Sequence, residues 1–306
     1  MRNAQIGLEQ GVATSTAPVV LVWRLMRPRQ WIKNLLIFAP LMFTDRFLHV
    51  GSWSPVITTF LAFCLLSSAV YVANDWRDRD EDRLHPKKRL RPLASGLVSL
   101  RTAGMLLSVL VMVGLALALY SGGLVLIAAA LFLAVNVLYT YILKAHLFVD
   151  AFGISAGFLL RAAAGAAAIQ VSFSPWLFVL VLLLTLFLAF GKRRSELRAS
   201  LAPEQHRQVL GRYTAGLLDQ ILGVLVSSTI AVYAIYSFDQ PLHAHAFMLT
   251  IPFVIYGLFR YLYLLSVNAR SENPDELLVT DWPTLLNLAL WGLTVLTLLF
   301  LAHPQL

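Results

Sequence analysis

The chain predicts an all-α, polytopic membrane protein of about nine transmembrane helices, on three observations. It has 306 residues, 58% hydrophobic and only 13% charged, with a mean hydropathy of +0.73, too apolar for a soluble globule. Several uninterrupted apolar stretches approach or reach the roughly 20 residues needed to cross ~30 Å of hydrocarbon. Lys and Arg collect in alternate connections between those stretches.

The first helix is expected over 30–48, opening beside the interfacial Trp31. The second, 54–73, ends with the run FLAFCLLSSAVYVA and gives way to NDWRDRDED. Helices at 101–120 and 122–142 are divided by YSGG, those at 148–170 and 175–191 by VSFSP, and those at 214–237 and 246–267 by FDQPLHAH; a ninth follows at 284–302. Residues 1–20 are polar and small, without the apolar core of a cleavable signal peptide, and residues 1–26 are expected to form a disordered cytoplasmic tail. Residues 27–306 form one membrane domain. The single Cys64 lies in an apolar run and excludes a disulfide framework or a Cys-based metal site.

The net charge of +8 reports sidedness first. With the N-terminus inside, segments 1–33, 74–101, 143–147, 192–213 and 268–283 hold 21 of the 24 Lys and Arg residues. That places the N-terminus and the polar connections on the cytoplasmic face of the plasma (inner) membrane, and the C-terminus outside. The basic balance implies contact with anionic membrane lipids. Nucleic acid is excluded as a partner, because no large soluble domain exists to bind it. Small-residue stretches such as RAAAGAAA allow close helix approach and admit a homo-oligomer.

The chemistry collects in Asn74–Gly96, where five acids and seven Lys or Arg residues lie in twenty-three positions. If the second helix continues past the bilayer surface, Asn74, Asp78 and Asp82 at i, i+4 and i+8 climb one face. Such an oxygen ladder suits Mg2+, which is held by one or two carboxylates together with substrate phosphates. Asp75 lies near Asp82 on an adjacent face, whereas Asp80 and Glu81 point to solvent. Downstream, Lys87, Lys88, Arg89 and Arg91 offer donors matched to phosphate oxygens, between Pro86 and Pro92. Acids followed by cations fit a diphosphate ligand. Lys33 and Asn34, then Tyr141 and Lys144, stand at other helix ends, where the plain alternative is a snorkelling anchor. Arg161 falls mid-helix and requires a polar cavity or a carboxylate partner. After the sixth helix, Lys192, Arg193 and Glu196 repeat the arrangement, Glu196 as a further metal ligand or an orienting group. Glu276 and Asp281 are read as loop-ordering groups, and His243 and His245 as unremarkable.

NDWRDRDED, at the end of the second of about nine helices, resembles the UbiA superfamily of intramembrane prenyltransferases over nearly the whole chain from Arg27 onward. The resemblance implies a UbiA-like helical bundle. Ordinary members carry a second aspartate-rich motif after the sixth helix, where this chain reads GKRRSEL. Together with RPRQWIKN, the NDxxDxxxDRxHPxKRxRP pattern, YxxxLK and PDELLVTD, that departure is similar to the decaprenyl-phosphate phosphoribosyltransferase branch. The branch implies Mg2+-dependent transfer of 5-phosphoribosyl from phosphoribosyl diphosphate (PRPP) to a polyprenyl phosphate, with release of diphosphate. By this resemblance Asn74, Asp78 and Asp82 hold the metal and the donor diphosphate, with Asp75 as a fourth candidate. Lys33, Lys88, Arg89, Arg91, Lys144, Lys192 and Arg193 are then the phosphate-binding candidates. The rival is prenyl transfer from a prenyl diphosphate to an aromatic acceptor, which the missing second acidic motif disfavours. A non-catalytic lipid-phosphate carrier is a third reading and would need no metal ladder.

Overall fold

The computed structural model describes residues 18–42, 44–85, 88–199, 209–239, 246–267 and 280–302, and among these every regular element is helical. Eight helices are long and apolar enough to cross a membrane, with windows Val50–Arg77, Leu100–Ser121, Gly123–Tyr141, Val149–Ala168, Pro175–Arg198, Ala215–Phe238, Ala246–Val267 and Trp282–Leu301. The chain divides into two compact units, Met1–Val137 with Leu160–Phe173, and Leu138–Leu159 with Ser174–Leu306.

In the first unit, α1 (Pro18–Met26) leads into a 3-10 helix (Pro28–Phe38), α2 (Ala39–Met42) and a second 3-10 turn (Asp45–Leu48). Part of the expected tail, residues 18–26, is therefore helical; residues 1–17 lie outside the described residues. The expected helix at 30–48 is also different. Arg27, with a left-handed φ of 50°, and Pro28 set the start of the segment, and inside it Pro40 lacks an amide donor, which breaks a continuous α-helix over 30–48.

This irregular segment runs antiparallel to α3 (Val50–Arg77) along its length. Arg27 meets Asp75, Trp31 Nε1 donates to Ser68 Oγ (3.0 Å), Asn34 Nδ2 donates to Cys64 Sγ (3.2 Å), and Phe47 stacks on Trp53. Where the sequence suggests a ninth α-helix, the described residues instead hold this 3-10 segment beside α3, and eight helices are long and apolar enough to cross a membrane. A 3-10 helix has three residues per turn, so Trp31, Asn34 and Ile37 eclipse one another on one side. Irregular backbone of this kind persists at membrane depth only when protein covers it. The cover includes α7 (Val149–Ala168), whose Gly165 lies so close that a Cβ would collide with the Ile37 carbonyl.

The first core gathers Ile37, Leu41, Val56, Phe63, Leu66, Val125, Phe132 and Ala164. α5 (Leu100–Ser121) is capped by Ser99, whose Oγ accepts the Thr102 N–H, and it approaches α3 at Gly114, where a Cβ would press into Leu66. α6 (Gly123–Tyr141) supplies Phe132. A second cluster joins Leu25 of α1 to Ala69, Val72, Leu93 and Ala103, so α1 and the loop after α3 are anchored together.

In the second unit α8 (Pro175–Ala199) packs on α9 (Ala215–Asp239) around Phe187, Phe190, Tyr213, Leu218 and Leu222. α10 (Ile251–Val267) follows a 3-10 turn (Ala246–Thr250), because Pro252 suits only a first helical turn. α11 (Trp282–Ala302) begins at Asp281, which accepts the Thr284 N–H (3.0 Å). α8 extends eight residues beyond the expected end at 191: GKRRSEL is the last part of a helix, held by an Arg193–Glu196 pair at i, i+3.

Candidate active site

α3 ends at Arg77, and after a one-residue break at Asp78 (φ −86°, ψ 8°) the chain resumes as α4 (Arg79–Leu84). The backbone relation nevertheless survives: the Asp78 N–H donates to Asn74 O (2.9 Å) and the Asp82 N–H to Asp78 O (2.8 Å). The loop after α4 then folds back. Arg83 Nε donates to Ala94 O (3.1 Å), Leu93 is buried, and Arg91 returns to the corner between α3 and α4.

Arg91 Nη1 donates to Asp82 Oδ2 (2.6 Å) and to Asp75 Oδ1 (3.1 Å), and Asp75 Oδ1 also accepts from Arg27 Nη2 (2.5 Å). Arg27 lies over the Tyr71 ring, 5.0 Å from its centroid. Asp75 and Asp82 therefore share a cation, Arg91, so Asp82 of the Asn74–Asp78–Asp82 ladder is bound to a guanidinium here. Asp78 is half-buried with Arg77 Nε at 3.9 Å, and Asn74 is half-buried. Asp80 points to solvent as expected, with its side chain 87% exposed. Lys88 and Arg89 are exposed on a 3-10 turn, whereas Lys87 lies outside the described residues.

Among the described residues no three His, Cys, Asp or Glu side chains converge as a metal cage. Asn74, Asp78 and Asp82 still offer a hard, all-oxygen donor set with Asp78 reachable from solvent. That set fits Mg2+ shared with substrate phosphates, and does not fit a closed protein-only site.

Deeper along α3 lies a second polar group. Arg161 of α7 is only 8% exposed; its Nε donates to Asn34 Oδ1 (2.6 Å), its Nη2 to Ser67 Oγ (3.3 Å), and its guanidinium covers the Phe132 ring at 4.5 Å. Arg161 thus faces an amide, a hydroxyl and an aromatic face, and Asn34 is its positioning partner. Lys33, one residue away, is half-buried.

In the second unit one ion pair is sealed. Arg193 is 1% exposed; its Nε donates to Asp150 Oδ2 (2.7 Å) and its Nη1 to Glu196. Arg193 is therefore an interior ion pair, which corrects its expected position at a substrate surface. Glu196 is bound to that cation. Tyr213 donates to Asp150 Oδ1 (3.1 Å), and burial pushes its hydroxyl up to about 12, against the Phe148 N–H bond. Lys144 sits half-buried on a 3-10 turn (Leu143–Ala145), Tyr141 is exposed at the end of α6, and Lys192 is half-buried on α8.

Arg194 pairs with Asp219, and Arg198 caps the end of α10 through the Ser266 carbonyl (2.8 Å). Asp281 is gripped by Arg260 at 2.7 and 3.0 Å, so it orders the start of α11. Glu276, His243 and His245 lie outside the described residues. Residues that the sequence did not single out are Arg27, Ser67 and Tyr213. Ser67 and Ser68 were the one legible signal, as adjacent hydroxyls inside an apolar run.

Comparison with known proteins identifies related sequences and the same fold. The sequence model described as the UbiA prenyltransferase family matches residues 14–195. A decaprenyl-phosphate phosphoribosyltransferase of Mycolicibacterium smegmatis is 33% identical over 240 residues, 76% of each chain. A protein of the same name from Mycobacterium tuberculosis is 31% identical over 281 residues, 90% of this chain and 92% of its own. Among solved structures, a UbiA homolog from Archaeoglobus fulgidus bound to DMAPP and Mg2+ superposes with a TM-score of 0.65 at 17% identity, covering 91% of this chain and 98% of that one. An apo UbiA homolog from Aeropyrum pernix gives 0.61 at 18% identity, covering 94% and 98%.

Proposed function

Because the chain belongs to the UbiA prenyltransferase family and is an integral multi-pass membrane transferase, we propose that it moves 5-phosphoribosyl from PRPP to a polyprenyl phosphate at the cytoplasmic face of the plasma membrane. One observation carries this reading over prenyl transfer. In the second unit, where a second acidic motif would stand, Asp150 and Glu196 are both consumed by Arg193. Among the described residues of these two motifs, the acidic group open to solvent is the one in the first unit. A diphosphate on a greasy chain needs metal on both sides, whereas PRPP carries its diphosphate on a polar sugar with a further phosphate. The phosphoribosyltransferase relatives support the same choice.

An anionic oxygen of the lipid phosphate attacks C1 of the ribose. The C1–O bond to diphosphate breaks, and diphosphate leaves with the bonding pair. No proton has to be removed, so the carboxylates are not required as bases. Asn74, Asp78 and Asp82 would hold Mg2+, which when bound neutralises charge on the leaving diphosphate. Asp75 fixes Arg27 and Arg91. In the first unit Arg91, Lys88, Arg89 and Lys33 take phosphate oxygens; in the second unit, described by itself, Lys144 and Lys192 are phosphate ligands. Positioning and charge stabilisation supply the rate.

Purified protein incubated with labelled PRPP, Mg2+ and polyprenyl phosphate is expected to place label in the lipid phase. Prenylation of 4-hydroxybenzoate from a prenyl diphosphate, without sugar transfer, would overturn the reading.

A further inference from the structure

We propose that Tyr213 is a positioning residue for phosphate binding: its hydroxyl holds the turn at Phe148 and so fixes Lys144, four residues upstream. The proposal rests on the reading of Lys144 as a phosphate ligand in the transfer reaction.

The turn is an unusual one. Phe148 has φ of 65°, a left-handed conformation that a bulky L-residue rarely adopts. It joins the 3-10 turn bearing Lys144 to the start of α7, where the Asp150 N–H donates to His146 O (3.2 Å) and the Ala151 N–H to Phe148 O (2.9 Å). The Phe148 N–H itself points out of the turn and donates to Tyr213 Oη at 2.9 Å. Tyr213 in turn gives its proton to Asp150 Oδ1, and the other oxygen of Asp150 is held by Arg193. The hydroxyl therefore bridges the turn to a charge pair whose members are 0% and 1% exposed.

Aromatic packing supports the same point. The Phe148 ring meets Tyr213 edge-on at 5.8 Å and Phe190 at 6.4 Å. On the other side of Lys144, Gly153 of α7 lies so close to Tyr139 and Leu143 that a Cβ would sit 3.0 Å from each. Lys144 is thus carried on a short stretch pinned at both ends, at Leu143 by the Gly153 contact and at Phe148 by the Tyr213 hydroxyl. Removing one pin lets the ammonium wander, which weakens phosphate binding without touching the reacting atoms.

The test is Tyr213→Phe, which keeps the ring and deletes the hydroxyl. Amide hydrogen exchange over 143–150 is expected to speed up, and KM for PRPP or for polyprenyl phosphate, each titrated separately, to rise about tenfold, the scale of one charge-assisted contact. kcat is expected to stay within twofold. Asn tolerates the left-handed conformation, so adding Phe148→Asn to Tyr213→Phe is expected to restore both exchange and KM. Phe148→Val attacks the turn with the hydroxyl intact and is expected to reproduce the KM rise, which keeps the question open to test if Tyr213→Phe fails to fold. Unchanged exchange and KM in Tyr213→Phe, a fall in kcat alone, or no restoration by Phe148→Asn would each overturn the proposal. If the wild type does not turn over these substrates, the transferase reading fails, while the exchange measurement still decides whether Tyr213 holds the turn.

Discussion

In the first unit Arg91 joins Asp75 and Asp82 with 30% of its side chain still exposed, and Arg27 beside it keeps 28%. In the second unit Arg193 joins Asp150 and Glu196 with 1% left. The same side-chain types serve opposite ends. A guanidinium in contact with solvent can exchange a protein carboxylate for an incoming phosphate oxygen, because water and ligand stabilise the released partners. A sealed pair cannot exchange, since parting it leaves an uncompensated charge in a low-dielectric interior. Charged motifs of similar composition therefore separate by burial into a reactive group and an internal brace.

The sharpest way to break this contrast is Arg193→Ala. It strands Asp150 and is expected to cost about 3–5 kcal/mol, a large part of a typical domain's stability. Thermal unfolding in detergent measures it, and Arg193→Met with Asp150→Asn is expected to recover much of the loss. A wild-type unfolding curve for Arg193→Ala would show that the pair braces nothing.

Next in size, Asp78→Ala and Asp82→Ala are each expected to lower turnover by roughly a hundredfold or more while the protein folds normally. Asp80→Ala, at an exposed carboxylate, is expected to stay within twofold. Full activity of both ladder variants at low Mg2+ would remove the metal site. Arg91→Ala is expected to act through binding, raising KM for PRPP about tenfold. A matching loss of thermal stability without a KM change would make Arg91 a brace like Arg193.

The smallest effect concerns Asp281, whose carboxyl is held well below the usual range by its hydrogen bonds from Arg260, aided by Thr284. A depressed folded-state pKa means the stabilisation is complete above the unfolded value near 4 and fades as pH falls below it. The difference in melting temperature between wild type and Asp281→Asn is thus expected to be constant from pH 8 to about 5 and to shrink below about pH 4. A difference that grows on acidification would exclude this linkage.

The apolar runs made the all-helical membrane fold legible, and the corner acids Asp75 and Asp82 were recognisable as neighbours from their spacing. The first segment was not, because hydropathy does not register that Pro40 breaks the α-helix or that residues 28–38 wind as a 3-10 helix. Arg193 was misplaced for a related reason. GKRRSEL reads as a polar loop in isolation, and only the fold brings Asp150, 43 positions away, to cover its guanidinium. Tyr213 left no pattern at all, since its partners lie 63 and 65 positions earlier.

The 3-10 segment also bears on the order in which this end of the chain becomes complete. Arg29, Lys33 and Asn34 lie within it, and a basic residue at the centre of a lone spanning helix costs about 2.5–3.5 kcal/mol. The polar side of the segment finds Ser68, Cys64 and Ser67 only once α3 is in place. The polar groups of this early segment are therefore satisfied by a helix that is synthesised after it.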